Sequence, residues 1–361
     1  MFVDDYATPK PVPRAEPQER TLPLAFTGNT GEYFKIWIVN VFLTVLTLGI
    51  YSAWAKVRNK RYFYGNTLLD GAAFEYHATG RQLLPGRLIA MGLFVAYAVT
   101  SEIAPMFSLA LILIWVGLFP FAIQRSLRFH SAMSSYRGVR FGFKGTVAQA
   151  YLKFLGLPIL SAFTLNLLWP WVHKKQSEYR VGNSFYGTSQ FTTTLETGRF
   201  YATYVKAVLL SLVLVVALLA LAAGFAYALA GSQWAMIAMV YGSVLLVPIM
   251  LIVGLIAQGI INGGITNHIF NNTSINQNVA FQSTLTGKGL AWLYITNLVA
   301  IAMTLGLATP WARIRTMRYR AINTSVVMTT SLNDFAAAEQ ERHGALGEEV
   351  ADVFDVDVGA L

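Results

Sequence analysis

Two long runs of apolar residues dominate the hydrophobic pattern of the chain. Ala207–Ala230 contains no charge and is rich in Leu, Val and Ala, and Trp234–Ala257 is a second uncharged run of the same length, 24 residues. At a rise of about 1.5 Å per residue, a helix of this length covers about 36 Å and crosses a hydrocarbon core of roughly 30 Å. A buried helix of a soluble protein is the alternative. Two adjacent runs this uniform favour a transmembrane hairpin that turns at Gly231–Gln233.

A second hairpin is predicted upstream of the first. Leu88–Ser101 is uncharged, Met106–Gln124 adds 19 uncharged residues, and the break between them contains Glu102 and Pro105. The pattern therefore predicts four membrane-spanning helices, arranged in two hairpins over 88–124 and 207–257.

Three segments outside these hairpins carry the same residues at fixed offsets. In each, a Tyr follows the anchoring Trp after eight residues, and an Asn follows that Tyr after four. The members are Trp54, Tyr62 and Asn66; Trp171, Tyr179 and Asn183; and Trp311, Tyr319 and Asn323. Basic residues lie between the Trp and the Tyr each time, and a Thr-Leu pair precedes the Trp. Agreement in three places predicts an internal repeat.

Each repeat predicts a strand, two helices and a second strand. The strand-like stretches are Leu24–Thr27, Val139–Phe143 and Val279–Phe281 at the start, and Ala73–Tyr76, Gln190–Leu195 and Ser325–Leu332 at the end. Two predicted spans separate consecutive repeats. The repeats therefore share an orientation only if the helices of each repeat enter and leave on one side. We predict re-entrant or interfacial helices; a seven-span protein is the rival interpretation.

The predicted fold class is a polytopic α-helical membrane protein in which three repeats alternate with two transmembrane hairpins. Composition agrees, because 55% of the residues are hydrophobic and 12% are charged, about half the charge of a soluble domain. The predicted boundaries are 1–23 for a disordered Pro-rich tail, 24–80, 139–198 and 279–333 for the repeats, and 334–361 for an acidic tail.

The distribution of charge predicts the orientation. Lys and Arg accumulate before, between and after the hairpins, whereas the turns Glu102–Pro105 and Gly231–Gln233 contain none. The positive-inside rule then places the repeats and both termini in the cytoplasm. Asp334–Leu361 carries eight acids and one Arg. This tail is expected to be a solvated terminus or a segment that docks weakly on the basic surface, with a helix capped at Asn333-Asp334.

Several motifs resemble a known family. FTG (26–28), GEYF (31–34), LTLGIYSAWAKVR (46–58) and RYFYGNT (61–67), with the later TPWAR (309–313), are similar to motifs of the YjgN-like family of bacterial inner-membrane proteins. The resemblance covers roughly residues 26–332, and WPWVH (169–173) departs most from it. It implies a multipass protein of the bacterial cytoplasmic (inner) membrane and transfers no catalytic residues.

The residues offer little catalytic chemistry. The chain has no cysteine, and its five histidines are scattered without the spacing of a metal site. The four predicted spans contain no ionisable residue, which argues against ion-coupled transport. We therefore expect no catalytic residues, no metal, no cofactor and no nucleic-acid partner.

The basic residues of the repeats form the candidate site. They are predicted to bind anionic lipid headgroups, with Arg contacting phosphate bidentately: Arg58, Arg61, Lys174, Lys175, Arg180, Arg313, Arg315 and Arg318. The alternative is anchoring, in which the Trp, Tyr and Asn of the repeat lie at the membrane interface and the cations face the cytoplasm. An Asn-rich stretch at 262–278 is expected to be a polar loop or the lining of a polar vestibule.

These patterns predict a protein that binds or translocates lipid or another amphiphile through a basic cytoplasmic face, with anionic membrane lipids as its partners. A membrane scaffold or assembly factor that recruits a cytoplasmic protein through its tails is the alternative. A lipid-modifying enzyme is weakened by the lack of a catalytic constellation.

Overall fold

The computed structural model of the protein describes residues 19–232, 234–276, 278–329 and 331–342. Within these ranges, ten antiparallel strands close into one barrel. The strands are β1 (Arg20–Phe26), β2 (Thr67–Leu69), β3 (Ala72–Tyr76), β4 (Ser134–Tyr136), β5 (Val139–Phe143), β6 (Ser184–Tyr186), β7 (Ser189–Thr193), β8 (Thr273–Ile275), β9 (Val279–Ser283) and β10 (Thr324–Met328). The first and last strands close the barrel, with Arg20 paired to Met328.

Helices connect the strands in pairs. They are α1 (Thr30–Leu46), α2 (Ser52–Gly65), α3 (Gly80–Ile103), α4 (Pro105–Ala132), α5 (Val147–Tyr151), α6 (Leu157–Phe163), α7 (Trp169–Gly182), α8 (Thr197–Ala228), α9 (Ala235–Asn271), α10 (Gly287–Met303) and α11 (Thr309–Ile322). A π-helical turn at Leu152–Gly156 joins α5 to α6. A further helix, α12, covers 332–342.

Every helical pair leaves and re-enters the barrel at the same end, because the tight β-hairpin turns all lie at the opposite end. A backbone hydrogen bond recurs at the base of each described pair, where the N–H after one strand donates to the carbonyl at the end of the returning helix. The five bonds are Thr27 to Asn66 (2.9 Å), His77 to Met133 (2.8 Å), Lys144 to Asn183 (2.9 Å), Thr194 to Asn272 (3.2 Å) and Thr284 to Asn323 (2.9 Å). The fold is thus a barrel that carries helical pairs on one rim.

The predicted fold class, a polytopic α-helical membrane protein with short strands confined to its three repeats, is wrong, because the strands close into one barrel. The stretches predicted as separate strands overlap six strands of a single closed sheet. Four strands of three residues each, β2, β4, β6 and β8, complete the barrel between them. Such short strands carry almost no alternation of polar and apolar residues, so the hydrophobic pattern does not reveal them.

Backbone conformation explains the residues at the turns. Asp70 and Gly71 both have positive φ, 49° and 74°, as a type I′ hairpin turn between β2 and β3 requires. At the tips of the shorter helical pairs, Leu48 and Gly49 have φ of 49° and 93°, and Leu305–Gly306 repeats this geometry. Leu165–Asn166 takes the same left-handed path between α6 and α7. The recurring Thr-Leu-Gly sequence therefore encodes a helical reversal.

Four helices among the described residues are long and apolar enough to cross a membrane. They are Gly80–Ile103, Pro105–Ala132, Thr197–Ala228 and Leu246–Asn271. The first two meet at Ala104, and residues 229–234 lie between α8 and α9. Few of their side chains are buried within the protein, so these helices leave large apolar surfaces that a membrane would cover.

The predicted chain ends are only partly within the described residues. β1 begins at Arg20, inside the stretch predicted as an N-terminal tail, while residues 1–18 lie outside the described ranges. Of the predicted acidic tail, 334–342 belongs to α12, and residues 343–361 lie outside the described ranges.

Candidate functional site: the barrel lumen

An apolar cavity of about 340 Å³ occupies the middle of the barrel. Side chains at alternate strand positions point into a closed barrel. The central residue of four five-residue strands is a phenylalanine that lines the cavity: Phe74, Phe141, Phe191 and Phe281. Ring centroids lie 6.5 Å apart for Phe74 and Phe141 and 5.7 Å apart for Phe191 and Phe281. The lumen therefore has an aromatic girdle.

A larger cavity of about 680 Å³ adjoins this one at the helical end. The four phenylalanines line both cavities, so the two form one continuous space. The larger cavity also has a polar rim, made of Ser126, His130, Ser131, Ser134, Arg180 and Ser184. The lumen thus passes from an apolar interior to a polar mouth that faces the helical pairs.

Two tyrosine hydroxyls inside the barrel are satisfied by the backbone. Tyr136 donates to the Leu69 carbonyl at 2.6 Å, and Tyr186 donates to the Tyr136 carbonyl at 3.1 Å. Burial raises the pKa of both hydroxyls above the ordinary tyrosine value, so they remain neutral. These groups hold the wall of the lumen together and contribute no charge to it.

Helix α12 closes the end of the barrel that lies away from the helical pairs. Leu332 and Phe335 line the inner cavity, and Phe335 stacks on Tyr186 at 5.8 Å between centroids. Glu339 is completely buried. Its carboxylate accepts hydrogen bonds from Thr188 N at 2.7 Å, from Thr188 Oγ1 at 2.8 Å and from Ser189 Oγ at 2.5 Å. The helix is therefore a plug fastened to the turn between β6 and β7.

The electrostatics of Glu339 favour its charged form. Burial acts to raise the pKa of the carboxyl, but the hydrogen bonds from Ser189 and Thr188, together with Arg342 at 3.1 Å, outweigh it and lower the pKa below its ordinary value.

The predicted cap at Asn333-Asp334 is wrong. Ser331 Oγ accepts from Asp334 N at 3.2 Å, whereas Asn333 accepts from Arg137 at 2.5 Å.

Arg180 is the predicted headgroup residue that lines the lumen. It lies at the mouth, with its guanidinium 5.6 Å from the centroid of the Phe154 ring. Burial lowers the pKa of Arg180 below its ordinary value. It forms no ion pair with any described residue, and its charge is available to a ligand at the mouth.

Arg58 and Arg315 lie four residues after their Trp and contact the preceding helix. Arg315 donates to Thr296 Oγ1 at 2.5 Å and to Asn297 Oδ1 at 3.2 Å. Arg58 makes a longer contact of 3.5 Å with Asn40 Oδ1. Both asparagines are buried.

The other predicted headgroup residues also make contacts within the chain. Arg61 donates to the Ala78 carbonyl at 2.8 Å, Arg313 to Tyr33 Oη at 2.8 Å, and Arg318 to the Gly28 carbonyl at 3.4 Å. Lys174 and Lys175 lie 3.4 Å and 2.9 Å from the Glu178 carboxylate, and Lys174 also donates to Thr197. The structure thus brings neither these residues nor Arg58 and Arg315 into the lumen.

The Tyr and Asn of the three segments tie each shorter helical pair together. The Tyr hydroxyls contact the residue that caps the first helix: Tyr62 with Asn29, Tyr179 with Thr146, and Tyr319 with Thr286. The asparagine side chains donate to the Tyr carbonyl at 2.8 Å in all three: Asn66, Asn183 and Asn323. Each of these asparagines is the C-cap of its helix.

The three tryptophans lie at the start of α2, α7 and α11 and differ in their surroundings. Trp54 stacks on Tyr51 at 6.1 Å, and a Cβ at Gly80 would lie 2.4 Å from its ring. Trp311 is partly exposed and lies 5.1 Å from the Arg315 guanidinium. Trp171 is half-buried.

The Asn-rich stretch is mainly helical rather than a loop, and Asn267, Asn271 and Asn272 line a cavity of about 440 Å³. Most of it belongs to the last turns of α9. Asn267 donates to the Leu285 carbonyl at 2.7 Å and accepts from Ser283 Oγ at 2.7 Å, while Asn271 accepts from Ser283 N at 2.7 Å. These amides fix the strand β9 to the helix that precedes it.

The local sequence patterns do not predict the aromatic girdle. Its signal is a fixed offset from the Trp of the three segments: Phe141 and Phe281 come 30 residues before Trp171 and Trp311, and Phe74 and Phe191 come 20 residues after Trp54 and Trp171.

Across the described ranges, no group of three His, Asp or Glu side chains could hold a metal ion.

Comparison with known proteins identifies the family. A family model described as "Bacterial protein of unknown function (DUF898)" matches residues 21–353. Inner membrane protein YjgN of Salmonella typhimurium is 26% identical over 351 residues, which covers 84% of this chain and 88% of that protein. YjgN from two strains of Escherichia coli is 36% identical over 138 residues, 38% of this chain and 35% of theirs. No solved structure matches the chain. The four apolar helices agree with the names of these membrane proteins, and the chain belongs to the DUF898 family, as its YjgN-like motifs predicted.

Proposed function

We propose that the protein binds an amphiphile, with an apolar chain in the barrel lumen and a polar head at the mouth. The observation that carries this proposal is the continuity of the apolar cavity with the polar rim. The volumes, about 340 and 680 Å³, lie within the range of small-molecule sites, roughly 300–1,000 Å³. Burial of a hydrocarbon chain is favourable by about 0.8 kcal/mol per CH₂ group.

The head is expected to be anionic. Arg180 supplies a guanidinium without a carboxylate partner among the described residues, and Ser126 and Ser131 supply hydroxyls at the same rim. Guanidinium groups bind phosphate through two parallel hydrogen bonds. A phosphate-bearing membrane lipid therefore matches both halves of the site.

Binding is favoured over translocation because, in the part of the chain that the structure describes, a helix occupies the end of the lumen opposite the mouth. Helix α12 fills the far end and is fastened there through Glu339. Passage of a lipid through the barrel would require that helix to leave. A scaffold that recruits a cytoplasmic partner through its tails remains the alternative, and α12 is already engaged by its own barrel.

The barrel is proposed to lie on the cytoplasmic side, with both termini. The cations near the barrel, and the absence of Lys and Arg from the turns Glu102–Pro105 and Gly231–Gln233, support this orientation. Because the chain has no cysteine, a single introduced cysteine is the sole site that a maleimide can label, and its reactivity reports the orientation directly. Ser232→Cys should react with an impermeant maleimide in intact cells and Glu341→Cys should not. The reverse pattern would place the barrel outside.

The three Trp–basic–Tyr–Asn segments are proposed to be copies of one duplicated unit. Their matching hydrogen bonds at the cap of the first helix and at the end of the second support this origin.

Native mass spectrometry of the full chain released from phospholipid nanodiscs tests the site. Val326 lines the cavity, and Val327 is the next residue on the same strand. Val326→Trp should fill the lumen and remove one retained lipid, while Val327→Trp, which points outward, should retain it. Equal retention by both variants would contradict the proposal.

A second pair of variants tests the head. Arg180→Gln should reduce retention of phosphatidylglycerol, whereas Arg140→Gln, which removes a cation on the exposed side of β5, should not. If both variants kept the same lipid as the wild type, Arg180 would have no part in recognition.

A further inference from the structure

A groove outside the barrel runs between α8, α9 and α10. Its volume is about 630 Å³. The floor is one face of α9, where Ile256, Ile260 and Gly264 follow one another at a spacing of four residues. This spacing places their side chains in line along the helix. The walls are α8 and α10, so the groove is built mainly from two candidate spans and a neighbouring apolar helix.

Two adjacent glycines bring the three helices together at the barrel end of the groove. A Cβ at Gly263 would lie 3.0 Å from Gly287 N at the start of α10, and a Cβ at Gly264 would lie 2.7 Å from Thr203 Cγ2 of α8. The lack of a side chain at Gly263 therefore lets α10 pack directly against α9, and the lack of one at Gly264 does the same for α8.

One lysine stands on each wall, and the groove contains no carboxylate among its described lining residues. Lys206 belongs to α8 and Lys288 to α10, and both side chains are exposed. Lys206 is the last charged residue before the uncharged run Ala207–Ala230, and no charge follows Lys288 until Arg313. The two lysines thus mark the same boundary, where the helices pass from a charged to an apolar environment.

The wall beyond the lysines is apolar. Leu210 of α8 and Ile295 of α10 lie on the side of the lysines away from the barrel. Trp292, which lies between Lys288 and Ile295 on α10, is 64% exposed. Tryptophan prefers the level of the lipid headgroups. Two cations at one end of an apolar trough, at that level, complement a phosphate attached to an acyl chain.

We propose that this groove holds one phospholipid, with its phosphate between Lys206 and Lys288 and one acyl chain along Leu210, Ile256 and Ile295. The site is separate from the lumen, because the two share no lining residue. The membrane in which α8 and α9 are expected to lie supplies the occupant.

The test uses the full chain in nanodiscs that contain a phosphatidylglycerol with a photoreactive group in its acyl chain. Cross-links should map to peptides that contain Leu210 or Ile256. Lys206→Gln/Lys288→Gln should weaken labelling about 25-fold when the photoreactive lipid is limiting, roughly fivefold for each lysine. Lys35→Gln/Arg81→Gln is the matched control, since both residues begin other helices outside the groove, and it should label as the wild type does.

The lumen variant separates this site from the proposed function. Val326→Trp should leave labelling at Leu210 and Ile256 unchanged, whatever it does to the lipid in the barrel. Loss of groove labelling in Val326→Trp would show one shared site and overturn the proposal. Unchanged labelling in Lys206→Gln/Lys288→Gln would overturn it as well, and neither result depends on whether the lumen binds lipid.

Discussion

Glu339 Oε1 accepts a hydrogen bond from Ser189 Oγ at 2.5 Å, although the two residues lie 150 positions apart in the sequence. This contact lies where α12 meets the turn between β6 and β7, with the carboxylate fully buried. A buried carboxylate is stable only when its oxygens are satisfied. The plug is therefore held by a specific polar contact in addition to the apolar packing of Phe335 on Tyr186.

Replacing Glu339 should loosen the plug without unfolding the barrel. Glu339→Ala leaves the Thr188 N–H and two hydroxyls without an acceptor, and each hydrogen bond to a charged group contributes about 1.5–3 kcal/mol. We expect docking of α12 to weaken by at least about 2 kcal/mol, measured as faster amide hydrogen exchange at 332–342. Glu341→Gln is the control, because Glu341 is exposed on the same helix. Similar exchange in both variants would mean that apolar packing alone holds the plug.

Docking of the plug should also depend on pH. The pKa of Glu339 is lower in the docked state than in a free chain, where a Glu titrates near 4.3. The stabilisation is therefore complete above that ordinary value and is lost as the pH falls through the lowered pKa. Exchange at 332–342, corrected for its intrinsic pH dependence, should stay constant from about pH 7 to 5 and rise below about 4.

The matched variant for the pH experiment is Glu339→Gln. It has no titrating carboxyl, so the acid-induced rise should disappear and exchange should be fast at every pH. A rise of the same size in this variant would assign the acid sensitivity to another group.

Close packing of α9 on α10 gives a prediction about glycine. A Cβ at Gly259 would lie 2.5 Å from Ala291 N, whereas a Cβ at Gly254 would meet nothing within 4 Å. Gly259→Ala should therefore force the helices apart and cost about 1–3 kcal/mol. Gly254→Ala should be neutral or stabilising by up to about 1 kcal/mol, because Ala favours the helix. Thermal unfolding in detergent measures both, and equal midpoints would show that the helices adjust freely.

The sequence revealed the helical part of the fold because that part depends on local patterns. The break at Glu102–Pro105 corresponds to the junction of α3 and α4 at Ala104, and the Thr-Leu-Gly sequences correspond to tips with positive φ. The positions of Tyr62, Tyr179 and Tyr319 likewise follow from fixed offsets. Each hydroxyl makes a contact within its own helical pair, over 33 residues.

The barrel depended on contacts that no local pattern encodes. Its closure pairs Arg20 with Met328, the two ends of the described sheet. Strands such as β4 contain three residues, and all three are buried, so no polar alternation marks them. The lumen was missed for the same reason. Phe74 and Phe141 belong to strands on either side of β4 and become neighbours only when the sheet forms.

The predicted headgroup site rests on the charge of its Lys and Arg residues. Charge alone does not distinguish a cation that faces a ligand from one that binds its own chain. Arg180 and Arg315 both follow a conspicuous Trp, yet Arg180 lines the mouth and Arg315 contacts Thr296 and Asn297. The buried Asn297 was the available signal, since a buried amide requires a partner.

The last prediction concerns that pair. If Arg315 fastens α11 to α10, removing its contact should destabilise the protein and leave lipid retention unchanged. Arg315→Ala and Asn297→Ala should each lower the unfolding midpoint. The double variant should lose less than the sum of the two, with a coupling of about 1 kcal/mol, because the residues share one hydrogen bond at 3.2 Å. Additive losses together with reduced retention of phosphatidylglycerol would instead assign Arg315 to a lipid headgroup. Arg180→Gln provides the contrast: it should reduce that retention with little change in the midpoint, since Arg180 makes no ion pair within the described chain.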